Sequence, residues 1–411
     1  MKKRIVLRVI IAIIVICAVV AVFFVANKVL KGEEKTTGNT YIYDKDGEEI
    51  ASINYGDTSF FDNIKSYYLA LVIDDVINDI EEKESVNEDE AKNILATGEY
   101  KIYTCEDSNL QSKLEDTYKN YNNFLEDAEA ATTILDNETG SIVAIVGGRN
   151  VEDKAITFGD ANNNPTAIQN KNKAIEYYEP AQSMISLLSV YACGLEKGTF
   201  TLESKYVDEP LQVGTWKPTN YYSGYKGEMT IEEAIKGTTN IVKVKAMQDI
   251  GVDTAYEFLE NLGISSLSEE YDKTLAISLG LLTNGCNLLD LSSAYRTVLT
   301  DGEYKEPISY LKVVDKKGKN YLENIQETRK VLKESVCADL KSCIKKDINR
   351  KEVYVKSIAA TNHTCDWSSI TTDNYTLSTW YGSSNEKSFG KVNSSDIEAE
   401  KLSVEVLNKI S

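Results

Sequence analysis

Hydrophobic positions along the chain change their period several times, and each change predicts an element. Val9 to Ala26 is a run of 18 apolar residues, about the minimum that crosses a bilayer core as a helix. Lys2, Lys3, Arg4 and Arg8 precede it and the chain turns acidic soon after Lys31, which predicts a cytoplasmic N-terminus and an extracytoplasmic bulk. A cleaved signal peptide is the competing reading, but the run exceeds a usual h-region and lacks an A-x-A pattern before Asn27. After a polar linker, Thr40 to Asn54 reads as two strands around Asp44-Lys45-Asp46-Gly47, because Asp and Gly supply the dihedrals of a tight turn. Asp62 to Ala96 has helical spacing (Leu69, Val72, Val76, Ile80) broken by an acidic stretch, which predicts two helices. Lys101 to Thr104 reads as a strand and Ser108 to Phe124 as a helix. Ala131 to Val146 is a second hairpin, turning at Asp136 to Gly140.

A helix is predicted after Pro180, with Pro in the first turn, Ser183 near the N-terminus and Met184, Leu187, Leu188 and Tyr191 on one face before Gly194. Further helices are predicted at Thr230–Ile235, Asn240–Ile250, Thr254–Leu262, Leu288–Leu299 and Arg329–Ile344. Strands are predicted at Pro307–Val314, Val353–Ala360 and Tyr375–Gly382. Early hairpins joined by late strands, with helices between, predict an α+β fold built on an antiparallel sheet.

Composition removes several functions. With 45 Lys plus Arg against 64 Asp plus Glu, the net charge is −19, so the chain lacks the cationic footprint that nucleic-acid binding needs. One histidine, His363, cannot build a His-based metal centre. His363 and Cys365 make an H-x-C, which alone is no metal site, so no metal and no cofactor is expected. Apart from Cys17, the cysteines (Cys105, Cys193, Cys286, Cys337, Cys343, Cys365) form no C-x-x-C pair, and buried or free thiols are expected.

Six blocks then occur in a telling order: KIYTCEDSNLQ, ATTILDNETGSIVAIVGGRN, NKAIEYYEPAQSMISLLSVYACGLEKG, WKPTNYYSGYKGEMTIEEAIKGTTN, LLDLSSAYRTVLTDGEYKEP and YTLSTWYG. Together they resemble the transpeptidase half of class A penicillin-binding proteins, collinearly from about Tyr100 to Gly382. The resemblance implies the penicillin-binding transpeptidase (serine β-lactamase-like) fold, an antiparallel sheet with helices on both faces plus a helical subdomain, behind one transmembrane helix. It divides the chain into a cytoplasmic tail (1–8), a transmembrane helix (9–26), a linker or pedestal remnant (27–99), the transpeptidase-like domain (100–392) and a C-terminal helix (393–411). YIYDKDGEEIASI resembles the stretch after the family's anchor, yet only about a dozen residues separate it from the stretch that precedes the transpeptidase. A glycosyltransferase domain does not fit there, since an independent fold needs on the order of 50 residues.

The family's chemistry uses S-x-x-K, then S-D-N or a relative, then K-T-G. Ser183-Met184-Ile185-Ser186 aligns with the first: the nucleophile position is kept, and Ser186 replaces the lysine whose amine would reach the hydroxyl from one helical turn away. A hydroxyl is no base near neutral pH, so acylation is expected to fall by orders of magnitude. Other S-x-x-K tetrads occur about as often as chance gives, and none holds the family position. Thr238-Thr239-Asn240 aligns with the second motif, where Asn240 could bind a peptide-like ligand or the residues could simply cap the next helix. Lys356-Ser357-Ile358 aligns with the third, or Ser357-Ile358-Ala359 if the register shifts by one; in either register the glycine is replaced, Ile358 is expected to obstruct substrate pairing along the strand, and an outward position on a half-buried strand is the alternative for Lys356.

The sequence therefore predicts a single-pass protein of the bacterial cell membrane with degenerate catalysis, acting in peptidoglycan biogenesis by binding. Its expected partners are stem peptide or β-lactam, bound weakly or not at all, and cell-wall synthesis proteins. An active D,D-transpeptidase or carboxypeptidase working through Ser183, and a structural pedestal that binds no peptide, are the alternatives.

Overall fold

The computed structural model describes residues 38–149, 156, 171–359, 364–383 and 396–410. The tail 1–8, the apolar run 9–26 and His363 lie outside them. Among the described residues no helix is long and apolar enough to cross a membrane.

A six-stranded antiparallel sheet forms the body, in the order Lys345–Ile348, Lys351–Ala359, Cys365–Thr371, Tyr375–Ser383, Ala128–Asp136 and Ile142–Val146. Period-2 alternation sends its side chains to two different layers. On one face Tyr381 accepts a hydrogen bond from the backbone N–H of Leu125 (2.7 Å) and Asp366 accepts one from that of Glu398 (2.7 Å), so the helices Ser108–Asn120 and Glu398–Ile410 cover this side. On the other face Trp367 lies opposite Trp380, and Trp380 meets Tyr177 edge-on at 4.9 Å. The helices Ser183–Lys197 and Leu288–Leu299 belong to this second side.

A second, five-stranded sheet orders Asn320–Glu323, Tyr310–Val314, Lys101–Thr104, Thr40–Tyr43 and Glu49–Ile53. Its hairpin closes as the sequence predicts, with Asp44 Oδ1 accepting from the N–H groups of Asp46 and Glu48, both at 2.9 Å. One feature is not visible in the pattern: Thr40–Tyr43 pairs in parallel with Lys101–Thr104. Residues on either side of position 99 thus share one sheet, and their apolar side chains share one core with the larger sheet. Tyr68, fully buried on the helix Tyr67–Glu84, ties the two sheets together, its hydroxyl lying 2.7 Å from the Ile142 carbonyl and 2.9 Å from that of Ser309.

Two expectations change. The predicted helix Arg329–Ile344 starts only at Glu334, because Thr328–Lys330 pairs with Glu303–Lys305 as a strand. The helix after Pro180 starts at Ser183 itself, leaving Pro180 outside, and runs through a π-helical stretch at Leu187–Ala192. Asn240–Ile250 and Leu288–Leu299 have the bounds predicted for them. The six described cysteines are free and buried, as their spacing suggested.

Candidate active site

Three elements converge on Ser183. The first is the turn before it, where Gln182 holds φ 43° and ψ −117°, a costly region for a residue with a Cβ. Ser183 follows as the first helical residue, half-buried. Ser186 is fully buried, and its hydroxyl turns back to the Gln182 carbonyl at 3.4 Å. It therefore does not act on Ser183.

The second element is the break between the helices Ile231–Gly237 and Asn240–Ile250. Thr230 and Glu233 form a capping box that starts the first helix, and Thr238 ends it in the left-handed region at φ 49°. That break lets the next helix leave in a new direction. Thr239 occupies the cap position without a side-chain cap bond. The Asn240 amide serves neither helix: Nδ2 donates to the Thr219 carbonyl (3.0 Å), while Oδ1 accepts from Lys243 Nζ (3.2 Å). The capping alternative for these residues is thus not what the side chains do.

Lys243 is the residue that sequence reasoning missed. It follows Asn240 by three positions, hence lies on the same face, and its Nζ sits 3.0 Å from Ser183 Oγ. Its side chain is 2 % exposed. Burial, aided by the charge of Lys356, pushes its pKa well below the ordinary lysine range. A partial signal was present in the sequence: Lys243 and Lys245 interrupt the apolar run Ile241, Val242, Val244, Ala246 and Met247, and of the two only Lys243 is buried, while Lys245 pairs with Glu209 at the surface.

The third element is the edge strand Lys351–Ala359. Lys356 Nζ reaches Thr238 Oγ1 at 3.5 Å, and burial together with the charge of Lys346 lowers its pKa to about 8. Ser357 points to the opposite face, its hydroxyl donating to Ser368 at 3.0 Å. Ser183, Thr238, Asn240 and Lys356 are therefore brought together, whereas Ser186 and Ser357 are turned elsewhere. Ile358 was expected to obstruct substrate pairing along this strand. Its side chain lies on the sheet face opposite Trp367 and is buried in the core, while the strand Lys345–Ile348 pairs only with Lys351 to Tyr354. Among the described residues the edge from 355 to 359 has no strand partner beyond Cys365–Thr371 on its other side. A cleft of about 710 Å³ opens beside Thr238, Lys356 and Ser357. Ser183 is not among its walls, so this cleft adjoins the site without containing its chemistry.

The lowered pKa of Lys356 has a measurable consequence. The folded protein releases this proton near pH 8, but the unfolded chain holds it to about 10.5. Between those values the unfolded state binds more protons, so the contribution of Lys356 makes stability rise with pH; below pH 8 its cost is fully present. Lys356→Met is expected to remove that rise. Urea midpoints at pH 7.5 and 9.5 check it, and equal pH slopes for the two proteins would contradict it.

Comparisons with known proteins bear on the fold and the family. Residues 130–365 match the penicillin binding protein transpeptidase domain. Penicillin-binding protein 1A of Clostridium botulinum (strain Langeland) is 30% identical over 276 residues, covering 63% of this chain and 32% of that protein. Penicillin-binding protein 1F of Bacillus subtilis (strain 168) is 29% identical over 262 residues, covering 63% of this chain and 33% of that protein. The chain thus spans about a third of the length of the curated relatives it matches. Among solved structures, PonA1 from Mycobacterium tuberculosis in complex with penicillin V superposes with a TM-score of 0.66 at 19% identity, over 83% of this chain and 91% of that one. The D,D-transpeptidase domain of a peptidoglycan glycosyltransferase from Eggerthella lenta gives 0.64 at 14% identity, over 91% and 98%. The two sheets, the helices on both faces and the matched segment leave one assignment: the chain belongs to the penicillin-binding protein transpeptidase domain family.

Proposed function

We propose that the protein is a serine acyl-transfer enzyme of the D,D-transpeptidase or carboxypeptidase class, acting on peptidoglycan stem peptides at the outer face of a bacterial membrane. Ser183 is the nucleophile, and the apolar run 9–26 is the anchor. The observation that carries this reading is the 3.0 Å contact between Ser183 Oγ and a buried amine. A serine hydroxyl is a weak nucleophile unless an adjacent group takes its proton, and here such a group touches it. The edge from 355 to 359, which has no second strand partner among the described residues, supports the same reading, since an extended peptide can add to such an edge through backbone hydrogen bonds.

The rival reading, a non-catalytic binder of stem peptide or of a cell-wall synthesis partner, rests on Ser186 standing where the family has lysine. It loses force because an amine reaches Ser183 from elsewhere. A fluorescent penicillin decides between them. The protein is expected to take one covalent label, located at Ser183 by mass spectrometry and absent from Ser183→Ala. No adduct after hours at saturating label would leave the binder as the better account.

A further inference from the structure

We infer that the lysine of the S-x-x-K tetrad has changed helices in this protein: Lys243, on the helix that begins with Asn240, is the catalytic residue that takes the Ser183 proton, in place of the lysine missing at position 186. The inference rests on the acyl-transfer reading above and names the base for it. Its ground is the arrangement of three atoms. Ser183 Oγ lies 3.0 Å from Lys243 Nζ, and Asn240 Oδ1 lies 3.2 Å from the same nitrogen. The hydroxyl at 186 is engaged with the Gln182 carbonyl.

A neutral amine is the form that can take the Ser183 proton. Lys243 Nζ has two side-chain partners, Ser183 Oγ and Asn240 Oδ1, and no ion pair among the described residues. A neutral amine fits two partners: one N–H goes to Asn240 Oδ1, and the nitrogen lone pair faces the Ser183 O–H. Burial and the charge of Lys356 act in the same direction, lowering the lysine's affinity for a proton.

In the step that follows, the proton passes from Ser183 Oγ to Lys243 Nζ as Oγ bonds to the acyl carbonyl carbon. The carbonyl electron pair moves to its oxygen. When that pair returns, the C–N bond breaks, and the departing amine takes the proton back from the Lys243 ammonium. The ester on Ser183 is left behind, and no further reactant is consumed. With a β-lactam the same C–N bond is the ring amide, so the amine stays attached.

The exchange can be reversed experimentally. Lys243→Ser is expected to slow penicillin acylation by about 100- to 10,000-fold, the usual worth of a positioned base. Adding Ser186→Lys to it should recover at least about tenfold of that loss, because the new amine enters the space that Lys243 vacated. Melting curves of both variants accompany the rates, and Lys243→Met, which keeps the buried volume, replaces the serine variant if that one unfolds. Rates for Lys243→Ser or Lys243→Met within threefold of wild type would overturn the inference while leaving Ser183 as nucleophile. A folded but inactive variant restored neither by Ser186→Lys nor by added ethylamine would overturn it too, assigning Lys243 to packing alone. A wild-type protein that takes no label defeats the acyl-transfer reading itself.

Discussion

Gly280→Ala is expected to slow acylation of Ser183 by about 100-fold or more while the protein stays folded. Gly280 holds φ 73°, and a Cβ built there would lie 1.7 Å from the carbonyl oxygen of Gln182 and 2.5 Å from its carbonyl carbon. Backbone is not the yielding end of a flexible side chain, so Gln182 has to move. That residue already sits at φ 43°, and its carbonyl accepts the Ser186 N–H at 3.1 Å, so a shift carries the start of the Ser183 helix with it. A displacement on the order of 1 Å at reacting atoms can cost about 100-fold. Gly198→Ala is the control. Gly198 ends the same helix at φ 69° with nothing within 4 Å of its would-be Cβ, so it adds comparable backbone strain without pushing on Ser183. Penicillin-labelling rates of both variants, with melting curves, make the test. Wild-type labelling in Gly280→Ala would show that the segment gives way without moving the hydroxyl.

Arg296→Met is expected to destabilise the fold by about 3–5 kcal/mol, as breaking a buried charged network does. Arg296 is fully buried on the helix Leu288–Leu299. Nε donates to the Asn137 carbonyl at 3.0 Å, Nη2 donates to the same oxygen, and Nη1 donates to the Glu303 carbonyl at 2.5 Å. Asp301 Oδ2 lies 3.6 Å from the guanidinium. Asn137 is itself held, donating to the Thr372 carbonyl and accepting from Thr376 Oγ1, both at 2.8 Å. The arginine thus pins the turn of the hairpin Ala128–Asp136/Ile142–Val146, at one edge of the sheet, to the helix Leu288–Leu299. Methionine keeps much of the volume but leaves two carbonyls without their donor, each worth about 1–3 kcal/mol when buried. Urea unfolding at neutral pH measures the loss, and a change below about 1 kcal/mol would contradict the assignment.

What the sequence disclosed, and what it hid, divides along a physical line. Elements set by local chemistry were legible: the turn at Asp136 to Gly140, where Asp136 accepts the Thr139 N–H at 2.7 Å, and the helix Leu288–Leu299, capped by Asn287 onto the Asp290 N–H. Elements created by distant partners were not. Thr328–Lys330 extends because Glu303–Lys305 offers an edge, and helical periodicity downstream gives no hint of that. The site follows the same division. Ser183, Asn240 and Lys356 could be placed by motif order, but the fate of the missing amine could not, because a linear tetrad looks one turn along its own helix. The replacing nitrogen comes from a position 60 residues later, brought there by the break at Thr238. For Ile358 the bulk was legible, but its neighbour across the sheet, Trp367, follows from the pairing with Cys365–Thr371.

The parallel pairing of Thr40–Tyr43 with Lys101–Thr104 bears on mechanics. Thr40 to Tyr43 is the first described strand, clasped between Glu49–Ile53 on one side and Lys101–Thr104 on the other. A pull along the chain at Thr40 runs along those strands, so their hydrogen bonds carry it together in shear instead of opening one after another. The load passes through Tyr310–Val314 and, by way of Tyr68, into the hairpin of the larger sheet. A force applied at Thr40 is therefore shared by both sheets at once, and the two respond to it as one body.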